Sequence, residues 1–117
     1  MSMRCLLVDD SARFLEAART LLERDGIPVV GVATTGAEAL ARAAELAPDV
    51  VLVDLDLDGE SGFDLAVQLA RSVSSVIILI STHALEDFQE LIAASPAHGF
   101  LPKSALSGEA IRDLLGR

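Results

Sequence analysis

Five short apolar runs are spread along the chain. They cover residues 5–8, 28–33, 49–53, 75–80 and 99–102, and Val and Ile dominate the middle ones. None of the runs alternates cleanly between apolar and polar positions, which is typical of strands buried on both faces of a parallel sheet. The pattern therefore predicts five parallel β-strands.

Helical periodicity fills the gaps between these runs and follows the last one. Ser11 is a predicted N-cap and Gly26 a predicted stop for the first helix, and residues 35–38 (TGAE) form a capping-box signature for the second, which Pro48 ends. The predicted apolar stripes are Phe14, Leu15, Ala18, Leu21 and Leu22; Leu40, Ala44 and Ala47; Leu65, Ala66, Leu69 and Ala70; Leu85, Phe88, Leu91 and Ile92; and Ile111, Leu114 and Leu115. The alternation predicts an α/β fold, a doubly wound (βα)5 five-stranded parallel sheet with helices on both faces.

Length and composition narrow the function classes. The 117 residues fit one domain, residues 1–117, and the 51% apolar content argues against disorder. No run is long enough for a membrane helix and the N-terminus does not resemble a signal peptide, so we expect a cytoplasmic protein without a membrane partner. A net charge of −9 with nine scattered basic residues argues against nucleic-acid binding. The single cysteine, Cys5, lies in a strand pattern and is expected to be a buried, inert thiol.

Polar residues follow four of the five predicted strands. Ligands bind beyond the carboxyl ends of strands in open parallel sheets, so we expect these residues to share one site. Three carboxylates there would repel each other, and a hard divalent cation such as Mg²⁺ would relieve the repulsion. A lysine and a hydroxyl suit the binding of a phosphoryl group. The residues are Asp9 and Asp10, Asp54, Ser81 and Thr82, and Lys103.

The segments LLVDDS, VLVDLDLDGESGFDL, IILIST and GFLPKS occur in this order along the chain. With them, the sequence resembles the receiver domain of two-component response regulators over essentially its whole length. The resemblance implies a flavodoxin-like fold with strand order 2-1-3-4-5 and a role in phosphorelay signal transduction.

The resemblance also implies a role for each site residue. Asp54 is the expected phosphoryl acceptor. Ser81 and Phe100 are the expected switch residues, and the active state is expected to bury the Phe100 ring. Lys103 is expected to pair with the phosphoryl group. The implied Mg²⁺ ligands are Asp9, Asp10, Asp54 and the backbone carbonyl of Asp56. The Asp56 side chain is expected to tune hydrolysis of the phosphoryl group.

Partners follow from the same resemblance. A sensor histidine kinase or a phosphotransfer protein would donate the phosphoryl group. A downstream protein effector would bind the surface formed by the fourth helix, fifth strand and fifth helix, and the family also allows a phosphorylation-dependent homodimer. The protein would catalyse only its own phosphorylation and dephosphorylation. The ending IRDLLGR without a linker favours a stand-alone receiver, whereas GFLPKSAL resembles receivers that precede a helix-turn-helix domain.

Two other protein families carry aspartates in a pattern similar to that of residues 51–62. An EF-hand calcium loop begins D-x-D-x-D-G, which would start at Asp54 here. Its twelfth position needs a bidentate Glu, but that position is Leu65. A haloacid-dehalogenase-type phosphatase would use the DLDG string that starts at Asp56, two residues later than the strand end.

The chain also departs from the receiver pattern at Asp58 and Ser104, where the family usually has Pro. Thr82 is an alternative to Ser81 as the switch hydroxyl, and His83 is either a residue that affects dephosphorylation or a solvated side chain.

Overall fold

The computed structural model describes residues 3–83, 86 and 88–116. Its main sheet contains five strands, which are β1 (Cys5–Val8), β2 (Val29–Ala33), β3 (Val50–Asp54), β4 (Val76–Ser81) and β5 (Gly99–Pro102). The helices are α1 (Ala12–Arg24), α2 (Gly36–Leu46), α3 (Gly62–Ser72), α4 (Gln89–Ala94) and α5 (Gly108–Leu114). A 3₁₀ turn, Lys103–Ala105, directly follows β5. The described bounds of all five strands lie within one residue of the predicted runs.

The strands are ordered β2-β1-β3-β4-β5 and all neighbouring pairs are parallel. Apolar clusters lie on both faces of the sheet. One joins the sheet to α2 and α3 through Ala39, Ala43 and Leu69, and the other joins it to α1 and α5 through Leu22 and Ile111. The predicted flavodoxin-like, doubly wound sheet of order 2-1-3-4-5 is therefore confirmed.

The predicted stripe of α1 is confirmed, but that of α2 is partly wrong. Ala44 and Ala47 are exposed, whereas Ala39 and Ala43 are buried and Leu40 is half-buried. Alanine occurs on every face of this helix, so periodicity alone does not identify the buried one. The predicted N-cap is correct, because the Thr35 hydroxyl accepts a hydrogen bond from the Glu38 N–H at 3.1 Å.

The stripe of the short helix α4 was also predicted too broadly. Leu91 is 56% exposed, while Phe88 and Ile92 are half-buried, and Leu85 lies outside the described residues. Ala70, the last predicted position on α3, is exposed as well. These helices cover the sheet with fewer side chains than the sequence pattern suggests.

A small hairpin between β3 and α3 was not predicted. Asp56–Leu57 pairs antiparallel with Glu60–Ser61. Its turn residues, Asp58 and Gly59, have φ angles of 49° and 93°. Two consecutive positive φ angles indicate a type I′ turn, for which Asp-Gly is a favoured sequence. Proline fixes φ near about −65°, so it is incompatible with this turn at position 58.

Cys5 is fully buried, as predicted, and burial raises the pKa of its thiol to about 12. The thiol is therefore protonated and unreactive at neutral pH. Among the helices formed by the described residues, none has the length and apolar character needed to cross a membrane.

Candidate functional site

The site lies where β1, β3, β4 and β5 end at the same edge of the sheet. In the described part of the chain, the buried polar or charged side chains are those of Asp9, Asp54 and Ser81, with exposed fractions of 0%, 6% and 2%. All three stand at strand ends and all three were predicted as site residues. Burial of polar groups is costly, so their concentration at one edge indicates a functional site.

Lys103 joins two of these strand ends. Its Nζ atom lies 2.6 Å from Asp9 Oδ2 and 3.6 Å from Asp54 Oδ2, and its side chain is 16% exposed. Asp9 Oδ1 accepts a hydrogen bond from the Ser11 N–H at 2.8 Å. The other oxygen, Asp9 Oδ2, is buried and meets the ammonium as an ion pair, but no donor in the described residues makes a well-aligned hydrogen bond to it.

The acidic residues fit a divalent cation. Asp9, Asp10 and Asp54 each offer a carboxylate oxygen, and these oxygens lie within 4.8 Å of one another. Asp10 is exposed, so the cluster is open to solvent on its side. A set of oxygen donors, one of them buried without an aligned hydrogen bond, matches the preference of a hard cation such as Mg²⁺.

Burial and the neighbouring charges change the ionisation of Asp54. Burial, and then repulsion from Asp9, raise its pKa from 3.8 to about 6. Attraction to Lys103 and a hydrogen bond from the Asp56 N–H oppose this rise, and Asp10 adds a smaller repulsion. A positive charge beside the Asp54 carboxylate would therefore favour its ionised form.

Ser81 lies at the end of β4. Its hydroxyl accepts a hydrogen bond from the His83 N–H at 2.9 Å, whereas Thr82 is exposed. With Asp56, Phe63 and other residues, Ser81 and His83 line a cavity of about 360 Å³ beside the hairpin. The buried position of Ser81 supports it over Thr82 as the hydroxyl that belongs to the site.

Phe100 on β5 is 9% exposed and belongs to the apolar cluster on the α2 and α3 face. The sequence predicts that this ring becomes buried when the protein is switched on. In the structure the ring is already buried, so burial of an exposed Phe100 does not describe a change that starts from this conformation.

Sequence reasoning missed two contacts around the site. Phe14 was assigned only to the apolar stripe of α1, yet its ring lies 4.2 Å from Lys103 Nζ. Glu60, in the hairpin, accepts a hydrogen bond from the Gly36 N–H at 3.1 Å and so ties the hairpin to the start of α2. The Asp58-Gly59 dipeptide is the sequence signal that would have found the hairpin.

The protein has an α/β fold with a parallel sheet, and aspartates and a lysine meet at the carboxyl ends of its strands. These features define its class. Residues 5–115 match the family model described as the response regulator receiver domain. The chain therefore belongs to the response regulator receiver family, the phosphorelay signal-transduction module of two-component systems. This membership leaves the phosphatase interpretation without support. The calcium-loop interpretation also fails, because strand β3 and not a helix leads into residues 54–65, and residues 56–61 within them form a hairpin.

Several characterised proteins are similar to the chain. A protein-glutamate methylesterase/protein-glutamine glutaminase of Myxococcus xanthus is 38% identical over 96 residues, which are 81% of this chain and 28% of that protein. The response regulator GacA of Pseudomonas viridiflava is 35% identical over 112 residues, which are 94% of this chain and 52% of GacA. The chain thus spans about a quarter to a half of the length of these relatives.

Solved structures show the same fold. The receiver domain of a NarL regulator from Mycobacterium tuberculosis superposes with a TM-score of 0.86 at 29% identity, covering 99% of this chain and 98% of that one. The response regulator domain of CheB from Thermotoga maritima gives a TM-score of 0.85 at 22% identity, with coverage of 99% and 96%.

Proposed function

We propose that Asp54 accepts a phosphoryl group from a sensor histidine kinase or a phosphotransfer protein. The observation that carries this proposal is the position of Asp54 at the end of β3. Its buried carboxylate lies within 3.6 Å of the Lys103 ammonium and beside the carboxylates of Asp9 and Asp10. Residues 1–117 then form one receiver domain.

The chemistry is a phosphoryl transfer between two nucleophiles. A carboxylate oxygen of Asp54 attacks phosphorus, the bond from phosphorus to the donor histidine nitrogen breaks, and an aspartyl phosphate forms. Lys103 offsets part of the negative charge on the phosphoryl oxygens, because its ammonium already lies between the two acidic strand ends. Ser81 offers a hydroxyl as a hydrogen-bond donor to the same oxygens.

Asp9, Asp10, Asp54 and the Asp56 carbonyl would hold Mg²⁺. When bound there, Mg²⁺ supplies positive charge to the phosphoryl oxygens and carboxylates. The exposed Asp56 side chain, two residues after the acceptor, is in a position to influence the attack of water on the phosphoryl group. In this proposal the chain catalyses only its own phosphorylation and dephosphorylation.

The output acts through protein contact at the α4-β5-α5 surface. Leu91, on α4, is 56% exposed and offers an apolar contact for a downstream effector or for a second copy of the chain. We place the protein in the cytoplasm, where two-component phosphorelays deliver their signal. The net charge of −9 argues against direct nucleic-acid binding by this chain, although relatives such as EvgA are named DNA-binding activators.

Intact-mass measurement tests the acceptor. Wild type incubated with acetyl phosphate and Mg²⁺ should gain the mass of one phosphoryl group, and Asp54→Asn should gain none. Asp58→Asn is the matched control, since it removes one charge from an exposed turn whose positive φ angle Asn tolerates. Full modification of Asp54→Asn would move the acceptor elsewhere, most simply to Asp56.

A further inference from the structure

The ring of Phe14 faces the ammonium of Lys103. The distance from Nζ to the ring centroid is 4.2 Å, while the same Nζ lies 2.6 Å from Asp9 Oδ2 and 3.6 Å from Asp54 Oδ2. We propose that Phe14 is a positioning residue, which holds the Lys103 ammonium over the phosphoryl acceptor through a cation–π contact. This inference rests on the proposed function of Asp54.

The contact explains how a flexible lysine is kept in place. A lysine side chain has many rotamers, and confining it costs conformational entropy. The face of a phenyl ring carries partial negative charge and attracts an ammonium within about 6 Å. In this site the ring and the two carboxylates surround Nζ, so the side chain is only 16% exposed and has little freedom to turn into solvent.

A neutral ring also suits a lysine that must change partners. A carboxylate in the place of the ring would attract the ammonium with a full negative charge. It would therefore compete with an incoming phosphoryl group. The ring attracts the ammonium without adding net charge to a cluster that already contains Asp9, Asp10 and Asp54. Lys103 is thus able to shift from Asp9 toward a phosphoryl group on Asp54 while it keeps its contact with Phe14.

The local structure of α1 fixes the ring. The Ser11 hydroxyl accepts a hydrogen bond from the Phe14 N–H at 3.2 Å, and the Ser11 N–H donates to Asp9 Oδ1 at 2.8 Å. The contacts therefore form a closed circuit from Asp9 to Ser11, Phe14 and Lys103 and back to Asp9. Phe14 also packs against the apolar cluster beneath α1, which limits the movement of its ring.

Nuclear magnetic resonance tests the contact without reference to phosphorylation. Lys103 is the single lysine of the 117-residue chain, so lysine labelled with ¹³C at Cε gives one side-chain signal. Protons above a ring face are shifted upfield, and we expect this for the Lys103 Hε protons of wild type and of Phe14→Tyr. The shift should be lost in Phe14→Leu. Equal shifts in wild type and Phe14→Leu would overturn the inference.

Phosphorylation kinetics test whether the contact between Phe14 and Lys103 affects the rate of phosphorylation. With acetyl phosphate and Mg²⁺, Phe14→Leu should be phosphorylated about fivefold more slowly than wild type, which corresponds to about 1 kcal/mol in the barrier. Phe14→Tyr, which keeps the ring, should retain the wild-type rate. Leu21→Ala is the matched control, because Leu21 packs against the same cluster from a position two turns further along α1. It should lose stability but not rate.

A double-mutant comparison links the effect to the lysine. In a Lys103→Met background, Phe14→Leu should change the rate by less than about twofold. A full fivefold effect in that background, or a similar slowing in Leu21→Ala, would show that Phe14 acts only through packing. If wild type itself gains no phosphoryl group, the proposed function fails and this inference fails with it. A phosphorylated wild type with an unchanged Phe14→Leu rate overturns this inference alone.

Discussion

Gly62, the first residue of α3, lies directly against the main chain of Asp54. A β-carbon on Gly62 would overlap the Asp54 carbonyl oxygen and the adjacent Leu55 main chain. The Gly62 N–H also donates a hydrogen bond to the Leu55 carbonyl at 2.9 Å. The start of α3 is therefore fixed against the segment that carries the proposed phosphoryl acceptor, and only glycine leaves room for this approach.

Replacing Gly62 should disturb both stability and the site. Because the overlapping atoms are backbone, Gly62→Ala must shift α3 or the end of β3, and we expect a loss of about 1 to 3 kcal/mol in the free energy of unfolding. Urea unfolding measures this loss, and acetyl phosphate labelling measures the accompanying fall in phosphorylation rate. Wild-type stability in Gly62→Ala would contradict the close approach.

Mg²⁺ should stabilise the protein through the acidic cluster. A ligand that binds only the folded state raises the free energy of unfolding by about 2.7 kcal/mol at about 100 times its dissociation constant. Thermal unfolding with and without Mg²⁺ measures the rise in Tm. Asp10→Asn should remove most of the rise, whereas Asp58→Asn, with the same change in charge, should keep it. Stabilisation by micromolar Ca²⁺ without any by millimolar Mg²⁺ would contradict the proposed magnesium site.

Stability without metal should depend on the charge of Asp54. Its pKa is raised to about 6 from an ordinary value of 3.8, mainly by burial. Between pH 3.8 and about pH 6, Asp54 retains a proton in the folded protein that it has lost in the unfolded chain. The free energy of unfolding therefore falls as the pH rises through this range. The loss is complete above the folded pKa and amounts to at most about 3 kcal/mol.

In Asp54→Asn the side chain at position 54 carries no charge, so the free energy of unfolding of this variant should not show the same fall with pH. In the presence of EDTA, its advantage in stability over wild type should be small near pH 4 and should grow up to about pH 7. Urea unfolding of both proteins across this range measures the difference. An advantage that stays constant with pH would show that the mutation acts through packing rather than through ionisation of Asp54.

Ser81 should transmit phosphorylation rather than enable it. Ser81→Ala keeps Asp54, the proposed metal ligands and Lys103, so it should still gain a phosphoryl group. In wild type, the phosphoryl mimic beryllofluoride should change amide hydrogen exchange in residues 81–106. This change is driven by contacts made only in the phosphorylated state, so Ser81→Ala should not show it.

Thr82→Ala serves as the control for this prediction. Thr82 is exposed and adjacent to Ser81, so its loss should leave the exchange change intact. An identical change in wild type and Ser81→Ala, with loss in Thr82→Ala, would reassign the switch to Thr82. Because Phe100 is already buried, the exchange expected around it reflects altered packing of its ring rather than its transfer from solvent.

The sequence by itself determined the (βα)5 alternation of a parallel sheet and which polar residues follow its strands, whereas the strand order 2-1-3-4-5 was implied by the resemblance to receiver domains. Continuous apolar runs alternating with helical stripes favour a parallel sheet, and the preference for right-handed crossovers restricts how such strands are connected. Parallel strands end at the same edge, so Asp9, Asp54, Ser81 and Lys103 were predicted to lie together although they are far apart along the chain.

The tertiary structure alone decided which side chains touch within the site. Lys103 is closer to Asp9 than to Asp54, and its ammonium also faces Phe14. Strand ends are placed by connectivity and by the period of the sequence, both of which can be read along the chain. Distances of a few ångströms between side chains depend on rotamers and on the packing of segments that are remote in sequence. For this reason Phe14 has the pattern of a core residue in the sequence and becomes a neighbour of the proposed phosphoryl site only in the folded protein.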